Sequence, residues 1–124
     1  MFHYETRVMP PAPFVKTQVI NPFTEQTLDL PGKLDTGAAM TVIPKDIVSA
    51  LRLEQMGDVL CQGYDRVETL RPLYYVALEV AGYHFSIVEV TASPRRDALL
   101  GCDVLNHFIL TLNGKDLTFE LQDP

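Results

Sequence analysis

The sequence predicts a mostly β domain closed into a barrel, with one or two short helices. Three observations carry this. Apolar and polar residues alternate over short runs, as in Val15-Lys16-Thr17-Gln18-Val19 and at Tyr74, Val76, Leu78 and Val80, which is the period of a half-buried strand. Turn-forming pairs punctuate these runs at close spacing, namely Pro31-Gly32, Ala81-Gly82 and Asn113-Gly114. Helical spacing is confined to two short stretches, near residues 45–51 and 103–108. Many short strands with little helix build closed β architectures, and no solenoid period is present.

From the N-terminus, residues 1–13 read as an irregular arm, because Pro10, Pro11 and Pro13 exclude a helix and disfavour a central strand. Such an arm is either loose or joins a partner subunit. Residues 14–124 read as a single domain. Phe14 to Ile20 is a strand with Val15, Thr17 and Val19 on one face. Residues 21–25 turn the chain, residues 26–30 return it, and Pro31-Gly32 kinks the path before Leu34. Pro44-Lys45-Asp46 opens a helix that carries Ile47, Ala50 and Leu51. Asp58 to Gln62 is a strand, Gly63-Tyr64-Asp65-Arg66 a turn, and Val67 to Val80 extended again. Ala81-Gly82 turns into a strand from Tyr83 to Thr91, and residues 93–97 form a polar connection. Leu99-Leu100 is a short apolar strand before a helix from Asp103 to Phe108. The chain closes with a hairpin, Ile109–Leu112 against Leu117–Leu121, turned at Asn113-Gly114.

With 124 residues, 47% hydrophobic and 21% charged, the chain is of single-domain size and folds rather than staying disordered. A net charge of −6 argues against a nucleic-acid surface, which needs clustered Lys and Arg. Cys61 and Cys102 form no C-x-x-C pattern; they fit buried, reduced thiols, and a disulfide between them stays open. The start Met1-Phe2-His3-Tyr4-Glu5 shows no signal-peptide pattern, and no apolar run approaches the roughly 20 residues of a membrane span. A cytoplasmic location without a membrane partner is expected. His3, His84 and His107 share no metal-ligand spacing, and neither a Gly-x-Ser-x-Gly elbow nor a phosphate-binding Gly-rich loop occurs.

The stretch with chemical content is Lys33-Leu34-Asp35-Thr36-Gly37-Ala38-Ala39-Met40-Thr41-Val42-Ile43. An acid stands between an apolar strand end and a small-residue turn, and Gly37 allows the sharp bend. Leu34, Val42 and Ile43 seek the core, so Asp35 is presented at the edge of a buried region. The same residues also fit a turn aspartate that only caps backbone N–H groups. Asp97 and Asp103 are rival acids, but Arg95 and Arg96 mark Asp97 as part of a solvated loop, and Asp103 after Gly101 reads as a helix cap.

Asp35-Thr36-Gly37-Ala38, followed in this order by Leu99-Leu100-Gly101, resembles the retropepsin-like aspartic proteases, the single-domain relatives of pepsin. The resemblance runs from about Phe14 to Leu121 and implies the closed acid-protease β-barrel. In that family the Asp-Thr-Gly loop lies beside a strand ending in two apolar residues and Gly, and the two loops are related by a faint internal two-fold. The resemblance implies an aspartic endopeptidase with Asp35, Thr36 and Gly37 catalytic, and Leu99, Leu100 and Gly101 structural. Two carboxylates sharing a proton supply both a base and an acid. One Asp-Thr-Gly per chain therefore implies a homodimer that shares the site across its axis. No metal or organic cofactor is implied. The substrate is an extended polypeptide, contacted by Ala38 and Ala39 and covered by a flap for which Gly63 and Tyr64 are the candidates, although an ordinary β-turn explains those two residues as well.

Two departures from the retroviral pattern stand out. The places that hold acids there are Ala39 and Met40 here, and the place of their arginine partner is Cys102. Both sides of a salt bridge are absent together, which leaves no unpaired buried charge and makes a more apolar site floor. Two other functions fit the residues: a catalytically silent dimerisation or peptide-binding module of the same fold, and a monomeric β-barrel ligand binder.

Overall fold

Residues 1–63 and 65–123 of the chain are described by a computed structural model. Its strands are β1 (Phe2–His3), β2 (Phe14–Ile20), β3 (Thr27–Leu34), β4 (Val42–Pro44), β5 (Gly57–Gln62), β6 (Glu68–Val80), β7 (Tyr83–Ser93), β8 (Ala98–Leu100), β9 (Ile109–Asn113) and β10 (Thr118–Gln122). Two short helices interrupt them, α1 (Lys45–Ala50) and α2 (Cys102–Leu105). Strand accounts for 53% of the described residues and helix for 8%, the mostly β class expected from the alternation.

The strands follow the order β2-β3-β8-β4-β7-β6, and β2 pairs back onto β6 from Thr17↔Val80 to Ile20↔Ala77. Six strands thereby close a barrel, and its interior is filled by the faces that the alternation marked. Val15 and Val19 of β2, Leu30 and Leu34 of β3, Val76, Leu78 and Val80 of β6 and Leu100 of β8 are all buried. Each such side chain contributes about 1.5–3 kcal/mol on leaving water. Thr17 shares this face; its hydroxyl donates to the Val15 carbonyl at 3.1 Å, so its burial leaves no polar atom unpaired. β5 pairs with β6 outside the closed ring.

Pro31-Gly32 does not kink the path: β3 runs unbroken through both. β8 joins β3 only from Gly32 onward, so Pro31 sits where β3 has a partner on one side, a position that tolerates the missing N–H. A Cβ on Gly32 would strike the Thr17 hydroxyl and come within 2.9 Å of Leu100 Cδ1, so the glycine is there for close packing. In α1, Ile47 and Val48 pack on the core while Ala50 faces outward. The second helix is shorter than expected; residues 106–108 continue as turns, and the Phe108 ring meets Tyr83 edge-on at 5.0 Å.

The first 13 residues are more structured than an irregular arm. β1 pairs with β10 through Phe2↔Phe119 and His3↔Thr118, and Glu5 bridges Ala12. Phe2 stacks on Phe119 at 5.1 Å, an apolar ring contact made ahead of the prolines, two of which flank the bridged Ala12. Arg7 forks onto both Glu5 oxygens, and these side-chain hydrogen bonds hold the Glu5 carboxyl down to about 2. The last hairpin is present, but Asn113-Gly114 is not a two-residue turn. Asn113 pairs with Thr118 across a longer loop, the Asn113 side chain accepts the Asp116 N–H at 3.0 Å, and Leu117 takes the left-handed conformation. Side-chain capping by Asn113 competes with the tight turn and prevails.

At Ala81-Gly82 a two-residue turn does form, between Val80 and Tyr83, with φ of 51° and 86°. Both central positions require positive φ, which alanine adopts poorly. Replacing Ala81 by Asn is expected to stabilise the fold by about 0.5–1 kcal/mol, read as a higher urea midpoint with an unchanged slope.

Candidate active site

β3 and β8 are parallel neighbours that end together at Leu34↔Leu100. The chain leaving each strand end must turn away, and the two turns meet. Asp35 N–H donates to the Leu100 carbonyl at 3.0 Å, which anchors the first turn to β8. The turn then closes on itself: Gly37 N–H donates to Asp35 Oδ1 at 2.9 Å, and Ala38 N–H to the Asp35 carbonyl at 3.2 Å. Asp35 is half-buried, Thr36 and Gly37 are exposed, and among the described residues Asp35 Oδ2 accepts no hydrogen bond within the chain. One oxygen is therefore held by the backbone and the other is free to act.

Gly101 opens the second turn under the first. A Cβ there would lie 2.8 Å from the Met40 carbonyl carbon and 2.9 Å from the Ala38 oxygen, closer than real Cβ atoms approach other heavy atoms. Cys102 N–H donates to Ala38 O at 2.7 Å, Asp103 N–H to Ala39 O at 3.3 Å, and Cys102 Sγ to Thr36 O at 3.2 Å. Asp103 is not the helix cap expected: the N-cap residue of α2 is Gly101, and Asp103 lies within the first turn. Its carboxylate accepts the Thr41 N–H at 3.0 Å, the Thr41 hydroxyl at 2.8 Å and the Val104 N–H at 2.9 Å. Thr41, wholly buried, also receives the Gly101 N–H at 3.2 Å. Asp103 and Thr41 thus brace the Asp35 loop in a chain without an arginine at position 102. The signal for this was a lone polar residue, Thr41, inside an apolar run.

The β5–β6 hairpin stands over a cleft of about 420 Å³, lined on the hairpin side by Gly63, Val67, Thr69 and Arg71 and on the barrel side by Val42, Ser93 and Arg95. Gly63 N–H faces Val67 O at 3.5 Å and Arg66 N–H donates to Gly63 O at 3.0 Å, so residue 63 is part of the hairpin tip. Tyr64 lies outside the described residues. Val42, at the end of the loop that Asp35 opens, reaches the cleft; Asp35, Thr36 and Gly37 do not line it. Ala38 is half-buried with its carbonyl taken by Cys102. Ala39 and Met40 line a separate groove of about 350 Å³ with Phe85, Ile87 and His107, so they are not a floor to this cleft. The 93–97 connection is not a solvated loop either. Arg95 donates to Asp97 Oδ1 from Nε at 2.8 Å and from Nη2 at 2.7 Å, and the two side chains are only 26% and 21% exposed. Among the described residues, no three His, Cys, Asp or Glu side chains gather as a metal-holding group.

Solved structures share this fold. A retropepsin-like aspartic protease from Rickettsia conorii superposes with a TM-score of 0.68 at 16% identity, over 97% of this chain and 86% of its own. The simian foamy virus (mac) protease gives 0.57 at 20% identity, over 76% and 92% of the two chains. The retroviral protease-like domain of Ddi1 from Leishmania major gives 0.55 at 11% identity, over 91% and 90%. Neither a family model nor a curated protein sequence matches. The fold is that of the retropepsin-like aspartic proteases, and at these identities the likeness is one of fold.

Two substitutions test the brace between the loops. Gly101→Ala must push the 38–40 backbone away and is expected to cost about 1–3 kcal/mol. Asp103→Ala strands the buried Thr41 hydroxyl and N–H, with a similar cost of about 1–3 kcal/mol. Both are read from urea unfolding followed by intrinsic tyrosine fluorescence.

Proposed function

We propose that this chain is an aspartic endopeptidase that works as a homodimer, with Asp35 of each copy facing the other across the two-fold axis. The observation that carries this reading is the state of Asp35. Its carboxylate sits at an exposed turn pinned to β8, with Oδ1 held by Gly37 N–H and Oδ2 unpartnered among the described residues. A turn-capping aspartate needs neither the anchor to Leu100 nor the second turn pressed against it.

Two such carboxylates brought together cannot both ionise comfortably, so they share a proton; aspartic proteases are the type case. The ionised member takes a proton from water as that water attacks the peptide carbonyl carbon. The protonated member polarises the carbonyl oxygen. Thr36, whose hydroxyl makes no hydrogen bond within the chain among the described residues, reaches across the axis to hold the partner loop. Gly37 lets the backbone approach the shared water. The polypeptide lies extended beneath the β5–β6 hairpins, held by main-chain hydrogen bonds as an added strand. Hairpin closure keeps bulk water from the reacting carbonyl.

The test is cleavage of a diverse peptide library from roughly pH 4 to 7, where a proton-sharing pair operates, with Asp35→Asn alongside. Asparagine keeps the Oδ1 acceptor for Gly37 N–H, so the variant is expected to fold normally and to cut nothing. Activity is expected to rise with the square of protein concentration below the dimer dissociation constant and linearly above it. Linear activity through a range shown to be monomeric by sedimentation overturns the shared site. An uncut library from a folded dimer leaves the catalytically silent peptide-binding module.

A further inference from the structure

The chain carries a net charge of −6 and only 10 Lys and Arg in all, yet Arg71 and Arg95 line the same cleft beneath the β5–β6 hairpin. Strand register puts Arg71 there. Cys61 pairs with Thr69 and Val59 with Arg71, and alternate residues of a strand share a face. Thr69 and Arg71 therefore point into the cleft with Val67. Leu60 and Leu70, a cross-strand pair, are 62% exposed on the other side. A one-residue slip would exchange the two faces, so the inward arginine follows from the pairing that builds the hairpin.

The two guanidinium groups differ in what they already hold. Arg95 is occupied by Asp97. The ion pairs of arginines among the described residues are Arg7–Glu5 and Arg95–Asp97, and Arg71 belongs to neither. Among the described residues Asp65 is the one acid on the lining, and its Oδ1 accepts Val67 N–H at 3.1 Å within the turn. Arg71 is thus a half-buried cation with a planar fork of donors and, among the described residues, no carboxylate on it; Thr69 and Ser93 line the same cleft.

We infer that this cleft is a specificity pocket for an acidic side chain of the bound polypeptide, Glu or Asp, whose carboxylate pairs with Arg71. The inference rests on the proposed peptide-binding role of the hairpin and adds the class of substrate it selects. Each protomer of the dimer brings one such pocket, so the preference falls on both sides of the scissile bond.

The experiment uses peptide pairs that differ only in Glu against Gln, scanned along a substrate cut in an Asp35-dependent way, with Arg71→Gln, Arg71→Lys and Arg71→Glu. At the matching position kcat/KM is expected to favour Glu by about tenfold, mainly through KM, and the preference is expected to weaken as salt rises. Arg71→Lys keeps the direction, Arg71→Gln brings the ratio to near unity, and Arg71→Glu turns it toward Lys. Asp35-dependent cutting with no Glu–Gln discrimination, or with discrimination that survives Arg71→Glu, overturns the inference and leaves the protease reading standing. If the wild-type protein cuts nothing, the hydrolytic reading fails, and anisotropy of the same labelled peptides decides the pocket. Tighter binding of the Glu peptide that Arg71→Gln abolishes upholds it; equal binding, or none, overturns it.

Discussion

Where the backbone of Ala38–Met40 crosses Gly101 there is no room for a Cβ, and that close approach joins the barrel to its site. It exists because β3 and β8 run parallel and end together, so both chains must turn away at the same place. Parallel strands cannot be linked by a tight hairpin, and each exit has to be satisfied by the other. Asp35 N–H on Leu100 O and Cys102 N–H on Ala38 O are the two halves of that arrangement. With backbone groups already paired in this way, the Asp35 carboxylate is released from structural duty except for its single bond to Gly37.

The brace around this crossing explains how the chain dispenses with a buried ion pair. An arginine at 102 and acids at 39 and 40 would have to be desolvated together, and losing one would strand the other. Here Cys102 contributes a small, weak donor to Thr36 O, and the work passes to Asp103 and Thr41, one position further along each segment. A carboxylate that accepts three N–H and O–H donors needs no counter-charge nearby. Ala39 and Met40 line the separate groove with Phe85 and Ile87, and its charged groups are Glu89 and Asp103 rather than acids at 39 and 40.

Two arginines, Arg71 and Arg95, line the cleft under the hairpin. β5 and the Glu68–Leu73 part of β6 that pairs with it extend beyond the closed ring, so their inner face is free to hold polar side chains that a core would exclude. Thr69 and Arg71 occupy that face. The buried core packs the ring strands, and β5 contributes no residue to it.

The sequence alone determined the mostly β class, most strand positions and the paired signatures at Asp35-Thr36-Gly37 and Leu99-Leu100-Gly101, since alternation and turn chemistry are local. It also singled out Gly63 at the hairpin tip, which lines the cleft. What it misread shares one physical cause. Pro31-Gly32 looked like a kink because the packing of Thr17 and Leu100 on Gly32 joins residues far apart in the chain. The N-terminal segment looked irregular because its partner, Phe119, comes at the other end. Asp103 looked like a helix cap because Thr41 lies 62 residues away. Arg71 carried no local signal, since its direction depends on the register of β5 against β6. Periodicity reports which residues want to be buried; only the closed fold decides which distant group meets each of them.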